Sequence, residues 1–597
     1  MKLIRLKINS QDGFRSLKKG FEIFFLRDFD SDEITKFNPY LLAGKNGSGK
    51  SNVLEALAEI FYHLDGIYLS NKPDYFEKVF NPKKSRLNAY ELEYFTFLES
   101  DFFPQSSNEV IAHVSIKKKS NNRPLIKILN LEEISDTDED LSQKQIKSLL
   151  PRYVVGYASG HNETLSIPFF KSRLLQYDEY YSNLISKQFV DASPESSLVF
   201  LDSEFSQAIM LTCLLMFDDP ESDEPSPILR PFREYVQLGQ IDAFRLILRT
   251  DLEIDSFFAK QFIDDNALKL IDNLDLPETN GISNISTRSY IEKLKRCATC
   301  WSEQLNPDEG PFTDNYDLDF NTNSYLIFDF KVNNATKRAF QLHFEENPLK
   351  LFEFFQLGII LNNFIISKKN KERTYGSTNP FINNDIAQSP IEEDRILRFK
   401  DVLLRKNDMD KTIYTKNLSD GEHQFIHTLG LSLLFRNTRS LFLLDEPETH
   451  FNPDWKAKYI SSVRSCFEKK NSTVNQNHMP VLQDMLITTH SPYLLSDCDK
   501  IYVLIFKKMS NSLKIQAPLR PDFQTLGTSV NKIGIRIFGM PNTIGEYAQS
   551  IVSKYNNQFD DSKTAEDKEA LIKEIKDTLG DSVERMMLIN KILDSFS

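Results

Sequence analysis

Apolar and polar residues alternate through KLIRLKI (2–8), a period of two that predicts a strand with one buried face. FEIFFL (21–26) and PYLLAG (39–44) are continuous apolar runs and also read as strands, the second leading straight into glycines. The period then changes: in SNVLEALAEIFYHL, Val53, Leu57, Ile60, Phe61 and Leu64 share one helical face. LNAYELEYFTFL, NEVIAHVSIKKK and RPLIKIL follow as three strands of an antiparallel meander. From Phe169 to about Leu305 the pattern predicts mainly helix, clearest in EFSQAIMLTCLLMF and PFREYVQLGQIDAFRLILRTDL.

SYLIFDFKV and KRAFQLHF then read as a hairpin about Asn333-Asn334, followed by an apolar helix in LKLFEFFQLGIILNNFII. KKNKERTYGSTNPFINNDIAQSPIEED is polar and turn-rich and reads as a mobile loop. Leu441–Leu444, Met485–Thr488 and Ile501–Phe506 are short apolar runs beside turn or helix signals, the signature of buried parallel strands.

Composition narrows the class. With 597 residues the chain holds several domain-sized pieces, and 40% hydrophobic with 26% charged residues is ordinary for packed globular protein. The longest apolar stretch, AIMLTCLLMF, is half a membrane span, so no membrane segment is expected; the N-terminus lacks a signal-peptide pattern, which predicts a cytoplasmic location. Five scattered cysteines fit a reducing compartment, and Cys297-Ala-Thr-Cys300 lacks the second ligand pair of a zinc site. A net charge of −13 excludes a protein that coats nucleic acid with its whole surface, leaving KKKSNNRPLIK and KKNKER as local basic patches.

The chemistry concentrates at three strand ends. Gly44-Lys45-Asn46-Gly47-Ser48-Gly49-Lys50-Ser51, followed by Asn52, matches GxxxxGK[ST] between a strand and a helix. In such a loop the glycines let backbone N–H groups close on phosphates, Lys50 reaches the β and γ oxygens, and the Ser51 hydroxyl ligates Mg²⁺. LFLLDE (441–446) delivers two carboxylates at a strand end, Asp445 suited to the Mg²⁺ shell and Glu446 to orienting or deprotonating an attacking water. Asn417-Leu418-Ser419-Asp420-Gly421-Glu422 opens a helix, as a capping box, an anion site or both. MLITTHSP (485–492) ends a third strand on His490, where a donor to the γ-phosphate would be needed.

Together these motifs resemble the ABC-type ATPase head: Walker A at 44–51, an LSxGE signature at 418–422, Walker B at 441–446 and a switch histidine at His490. NGSGKSNVLEAL, DEPETH and TTHSP look like the SMC, RecF and OLD group, and FQTLGTSVNKIGIRIFGMPNTIGEYA like the tail of restriction-associated relatives. The resemblance implies an α/β fold, an ATPase head with a mixed or parallel sheet and an antiparallel β lobe, interrupted by a mainly helical insertion and followed by a helical tail. Its segments are 1–165 (Walker A and meander), 166–320 (insertion), 321–510 (signature, Walker B, switch histidine) and 511–597 (helical).

It further implies ATP and Mg²⁺, with Gly44, Asn46, Gly47, Ser48, Gly49, Lys50, Ser51 and Asn52 on the nucleotide, and Arg15 of an N-terminal "FR" element approaching it. Ser419 and Gly421 would act in trans, so the heads would form a homodimer, with higher oligomers open. Partners implied are DNA and a separate nuclease or toxin effector in anti-phage defence. A RecF-like repair or replication ATPase and an ATP-binding scaffold with little turnover are the alternatives. The family's Q-loop glutamine has no certain counterpart, with His161 or Asn162 nearest. Asp497-Cys498-Asp499 reads as a turn before Ile501 rather than as a nuclease metal site, and no other nuclease constellation stands out.

Overall fold

The computed structural model describes residues 1–26, 37–69, 72–98, 110–130, 141–160, 163–185, 196–221, 226–252, 269–271, 274, 289–305, 324–377, 390–407, 411–467, 483–507, 517–540, 543–562 and 564–595. His161 and Asn162 lie outside them.

Six short apolar runs make one parallel sheet: β3 (Tyr40–Gly44), β7 (Tyr153–Ala158), β8 (Leu198–Phe200), β14 (Ser440–Asp445), β15 (Asp484–Thr489) and β16 (Val503–Phe506). Their spatial order is β16-β3-β15-β14-β7-β8, and every pairing is parallel. Both faces are covered. Along β14, Leu441 and Leu443 enter one core, while Phe442 and Leu444 enter the other; Leu486 joins the first, and Met485 and Ile487 the second. Burial on two sides is why these strands are unbroken apolar runs.

On one face lies the helix Lys50–Tyr68, and beyond it an antiparallel sheet of β1 (Lys2–Ile8), β2 (Glu22–Phe24), β4 (Tyr90–Phe97), β5 (Ile111–Lys118) and β6 (Leu125–Ile128), ordered β2-β1-β4-β5-β6. Leu3, Leu6, Leu92, Tyr94, Val114 and Ile116 share a core with Leu54, Leu57 and Phe61 of that helix. Leu3 N donates to Asp484 Oδ2 at 2.8 Å, pinning this sheet to the start of β15.

A second antiparallel sheet contains β9 (Leu238–Arg249), β10 (Cys300–Leu305), β11 (Ser324–Lys331), β12 (Leu397–Lys406) and β13 (Thr412–Tyr414), ordered β10-β11-β9-β12-β13. It corrects the helical reading of one stretch within 166–320, whose described residues otherwise hold more helix than strand. In PFREYVQLGQIDAFRLILRTDL only the first five residues are α-helical, as the end of the helix Arg230–Tyr235, and Leu238–Arg249 is a twelve-residue strand. Leu238, Ile241 and Phe244 are buried at a spacing of three, which imitates a helix. The spacing arises because the pairing of β9 with β12 carries register shifts along its length, including those at Leu403/Leu404 and Arg405/Lys406. The boundary expected at 320/321 lies outside the described residues; the strands before and after it, β10 and β11, are neighbours in this sheet.

Two further expectations change. KRAFQLHF belongs to a helix, Asn334–His343, because Asn333 accepts a hydrogen bond from Thr336 N at 2.9 Å and so caps it instead of turning a hairpin. KKNKER lies in the helix Lys368–Gly376, where Lys371 is buried on Asp178 at 2.6 Å and withdrawn from any basic surface.

The described residues of the C-terminal region hold the helices Val530–Arg536, Glu546–Asp561, Ala565–Thr578 and Val583–Asp594. The last three enclose their own core of Val552, Tyr555, Leu571, Ile575, Leu588 and Ile592. Among the described residues no single helix is long and apolar enough to cross a membrane; the bent pair Pro348–Ile365 and Lys368–Gly376 passes by length and composition, and its first helix is largely buried in the core.

Candidate nucleotide site

β3 ends at Gly44, and the chain turns through Lys45–Gly49 into the helix that starts at Lys50. Gly44 has φ +151° and its missing Cβ would lie 2.3 Å from the Phe506 carbonyl oxygen, so only glycine fits between β3 and β16. Gly49, at φ +95°, occupies the helix N-cap with no side chain over the first turn, leaving its N–H groups open to an anion. Lys45, Asn46 and Gly47 are exposed, whereas Ser48 and Lys50 are buried.

Lys50 Nζ donates to Gly44 O at 3.2 Å and lies 2.8 Å from His490 Nε2. Burial lowers the Lys50 ammonium from its ordinary value, against the pull of the Glu446, Asp445 and Glu448 carboxylates. The neighbouring Ser51 hydroxyl donates to Asp445 Oδ1 at 2.8 Å, and Thr488 Oγ1 donates to the same oxygen at 2.5 Å. β15 lies between β3 and β14, so it sets the distance between loop and carboxylate and supplies the threonine that orients Asp445.

Glu446 follows the strand end with φ +49°, a left-handed conformation that costs a non-glycine residue about 1–3 kcal/mol. Its N–H is held by Thr488 O at 3.2 Å and Thr488 Oγ1 at 3.1 Å, which turns the side chain back toward the loop. Glu446 Oε1 lies 3.2 Å from His490 Nε2, and this contact, with the charges of His490 and Lys50, holds its carboxyl below the usual range. One imidazole nitrogen therefore faces both a cation and a carboxylate. Unprotonated it accepts from Lys50, and protonated it donates to Glu446, so a proton on Nε2 decides which partner it serves.

Ser419 and Gly421 stand apart from this group. Ser419 is exposed and caps the helix Asp420–Leu434 in a full capping box: Ser419 N donates to Glu422 Oε2 at 2.8 Å and Glu422 N to Ser419 Oγ at 3.3 Å. Lys406 binds the other Glu422 oxygen. A Cβ on Gly421 would meet His450 O at 2.8 Å, so glycine lets the helix start pack on the loop after β14. Arg15, at φ +55°, pairs with buried Glu55 on the loop helix, its Nη2 2.9 Å from Oε1, and Asn52 Nδ2 donates to Ser16 Oγ at 2.5 Å. The Arg15 segment thus rests on the first turns of that helix, and the Arg15 head group is occupied by a carboxylate.

Sequence reasoning missed Thr488 and Glu448. The Thr488-Thr489 pair at the end of an apolar strand was the available signal. Thr489 Oγ1 donates to Glu448, whose other oxygen is buried with no side-chain or backbone partner. Asp499 caps a short turn through Ile501 N at 3.0 Å, as a turn residue should. Among the described residues no group of three or more His, Cys, Asp or Glu could hold a metal ion.

The residues fit a Mg-nucleotide. Ser48 Oγ is buried without a partner behind the glycine loop, the open helix start faces the same side, and Ser51 and Asp445 offer two hard oxygens at contact distance. A cation there would be completed by phosphate oxygens and water.

Comparison with known proteins finds the family described as "AAA domain, putative AbiEii toxin, Type IV TA system" at residues 302–496, a stretch that includes Ser419, Asp445, Glu446 and His490 but not the phosphate loop. The match is to an AAA domain and takes in about a third of the chain, the part that carries the carboxylate strand end and the histidine. Protein ea59 of Escherichia phage lambda is 21% identical over 159 residues, 24% of this chain and 28% of that protein. The match thus spans less than a third of that relative's length. Among solved structures, an SMC head bound to the C-terminal winged-helix domain of ScpA aligns with a TM-score of 0.31 and 11% identity, covering 87% of this chain and 98% of that one.

Proposed function

We propose that this chain is a Mg-dependent ATPase of the SMC, RecF and OLD-like kind, whose ATP-driven head pairing controls a separate effector at DNA. The observation that carries the reading is the convergence of Lys50, Ser51, Asp445, Thr488, Glu446 and His490 at neighbouring ends of β3, β14 and β15. Mg²⁺, when bound, neutralises the phosphate oxygens between Ser51 and Asp445. Lys50 holds the β and γ oxygens, Glu446 orients the attacking water and takes its proton, and His490 Nε2 exchanges between Lys50 and Glu446 as that proton arrives.

Head pairing is supported by the position of Ser419, exposed at a helix N-terminus and, among the described residues, bonded to its own first turn, where a second copy's nucleotide could receive it. A role beside a nuclease or toxin effector in anti-phage defence is supported by the toxin–antitoxin wording of the matched family. Glu446→Gln tests the core of the proposal. The variant should bind ATP, lose steady-state hydrolysis by at least about a hundredfold and accumulate as an ATP-dependent dimer on a sizing column. Wild-type turnover in that variant would remove Glu446 from the mechanism.

A further inference from the structure

The phosphate loop and His490 are also touched by a segment from the far end of the chain. After β16 the chain returns along the helix Pro492–Ser496, with Gly527 N donating to Ser496 O at 2.8 Å and Thr525 Oγ1 to Cys498 O at 2.6 Å. The helix Val530–Arg536 then packs on Pro492–Ser496, anchored by buried Ile533 and Ile537. It ends in a closure in which Met540 N reaches back to Gly534 O at 3.1 Å across Gly539, at φ +66°.

That turn aims two residues at the site. The Phe538 ring lies against the His490 ring, centroids 6.2 Å apart and planes tilted by 35°. The missing Cβ of Gly539 would stand 3.0 Å from Lys45 Cε, so the backbone here lies directly on the second residue of the phosphate loop. His490 lies two residues before one helix and Phe538 two residues after the other, so two packed helices fix the pair of rings.

We propose that Phe538 is a positioning residue for this site: it restrains the His490 ring so that Nε2 stays within reach of both Lys50 Nζ and Glu446 Oε1. The chain beyond the parallel sheet thereby forms a wall of its own ATP site. The imidazole is about a third exposed (32%) and pivots on two side-chain bonds, so its hydrogen bonds alone leave rotation about the ring axis open. The tilted phenyl ring beside it limits that freedom.

This inference rests on reading the site as an ATPase, and the experiment separates the two. Steady-state hydrolysis is measured for wild type, Lys50→Ala, Phe538→Ala, Phe538→Tyr, His490→Ala and the Phe538→Ala/His490→Ala double variant. Phe538→Ala should lower kcat about tenfold with KM for ATP little changed, Phe538→Tyr should stay within about twofold of wild type, and Phe538→Ala should have no further effect once His490 is gone. Full activity in Phe538→Ala, or factors that multiply in the double variant, overturns the proposal. In parallel, the His490 ring resonance, assigned through His490→Gln, is followed in nucleotide-free protein. Its shift should move in Phe538→Ala and stay in Phe538→Tyr, and an unmoved resonance overturns the proposal whatever the turnover. Equal hydrolysis by wild type and Lys50→Ala instead removes the ATPase reading and leaves the spectroscopic result to judge Phe538.

Discussion

Glu448→Gln probes the buried carboxyl beneath the site. Glu448 is 3% exposed; Thr489 donates to Oε1 and Oε2 has no side-chain or backbone partner. Burial, with the neighbouring Glu446 charge adding to it, pushes this carboxyl from 4.5 to about 7. The folded state therefore holds a proton that the unfolded chain releases between those two values, and stability falls as pH rises through that window. A displacement of that size corresponds to roughly 3 kcal/mol, fully present as a loss above about pH 8 and absent below about pH 4.5. Glutamine keeps the shape and cannot ionise. Relative to wild type, Glu448→Gln should thus gain roughly 2.5 kcal/mol between pH 5 and pH 8, most of it below pH 7. Urea-unfolding midpoints of nucleotide-free wild type and variant at pH 5, 6, 7 and 8 measure it. Parallel pH profiles for the two proteins, or a wild type that gains on the variant toward pH 8, would refute the reasoning.

Two other substitutions separate structure from chemistry. Gly44→Ala places a methyl 2.3 Å from the Phe506 carbonyl. It should abolish ATP binding in an equilibrium titration and lower the thermal midpoint, because β3 and β16 must part to admit it. Ser419→Ala removes a helix cap worth about 1 kcal/mol, a modest shift in midpoint. If Ser419 closes the site of a second head, hydrolysis should fall far more than stability. Mixing Ser419→Ala with Lys50→Ala should then restore turnover at one of the two composite sites; mixtures no more active than their components would place Ser419 outside the shared site.

The phosphate loop, the carboxylate strand end and the histidine were legible because each is a local pattern: glycines before a helix, or an apolar run that ends in a charge. Their partners were not, because they are assembled across the sheet. Thr488 becomes the Asp445 ligand only when β15 lies beside β14, and Phe538 meets His490 only through two packed helices. The Arg15 element was legible as a motif, but its present partner, Glu55, was hidden in the apolar-looking face of the loop helix. In β9, bulged pairing spaced the inward residues like a helix, so periodicity pointed to the wrong element. At Asn333 the same residue type that turns a hairpin capped a helix, its side chain accepting the N–H three residues later.

The strand order of the parallel sheet also governs when the protein becomes itself during synthesis. β3, which carries the phosphate loop, has β15 and β16 as its neighbours, and Tyr40 pairs with Leu486. About 450 residues must be translated between the two, which at typical elongation rates takes roughly 20 to 90 seconds. The antiparallel lobe of β1, β2, β4, β5 and β6 can pair within the first quarter of the chain, while the glycine loop waits beside an unpartnered strand. On the ribosome the candidate nucleotide site is thus among the later parts to close, because the strand that ends in Asp445 and the strand that ends beside His490 must emerge first.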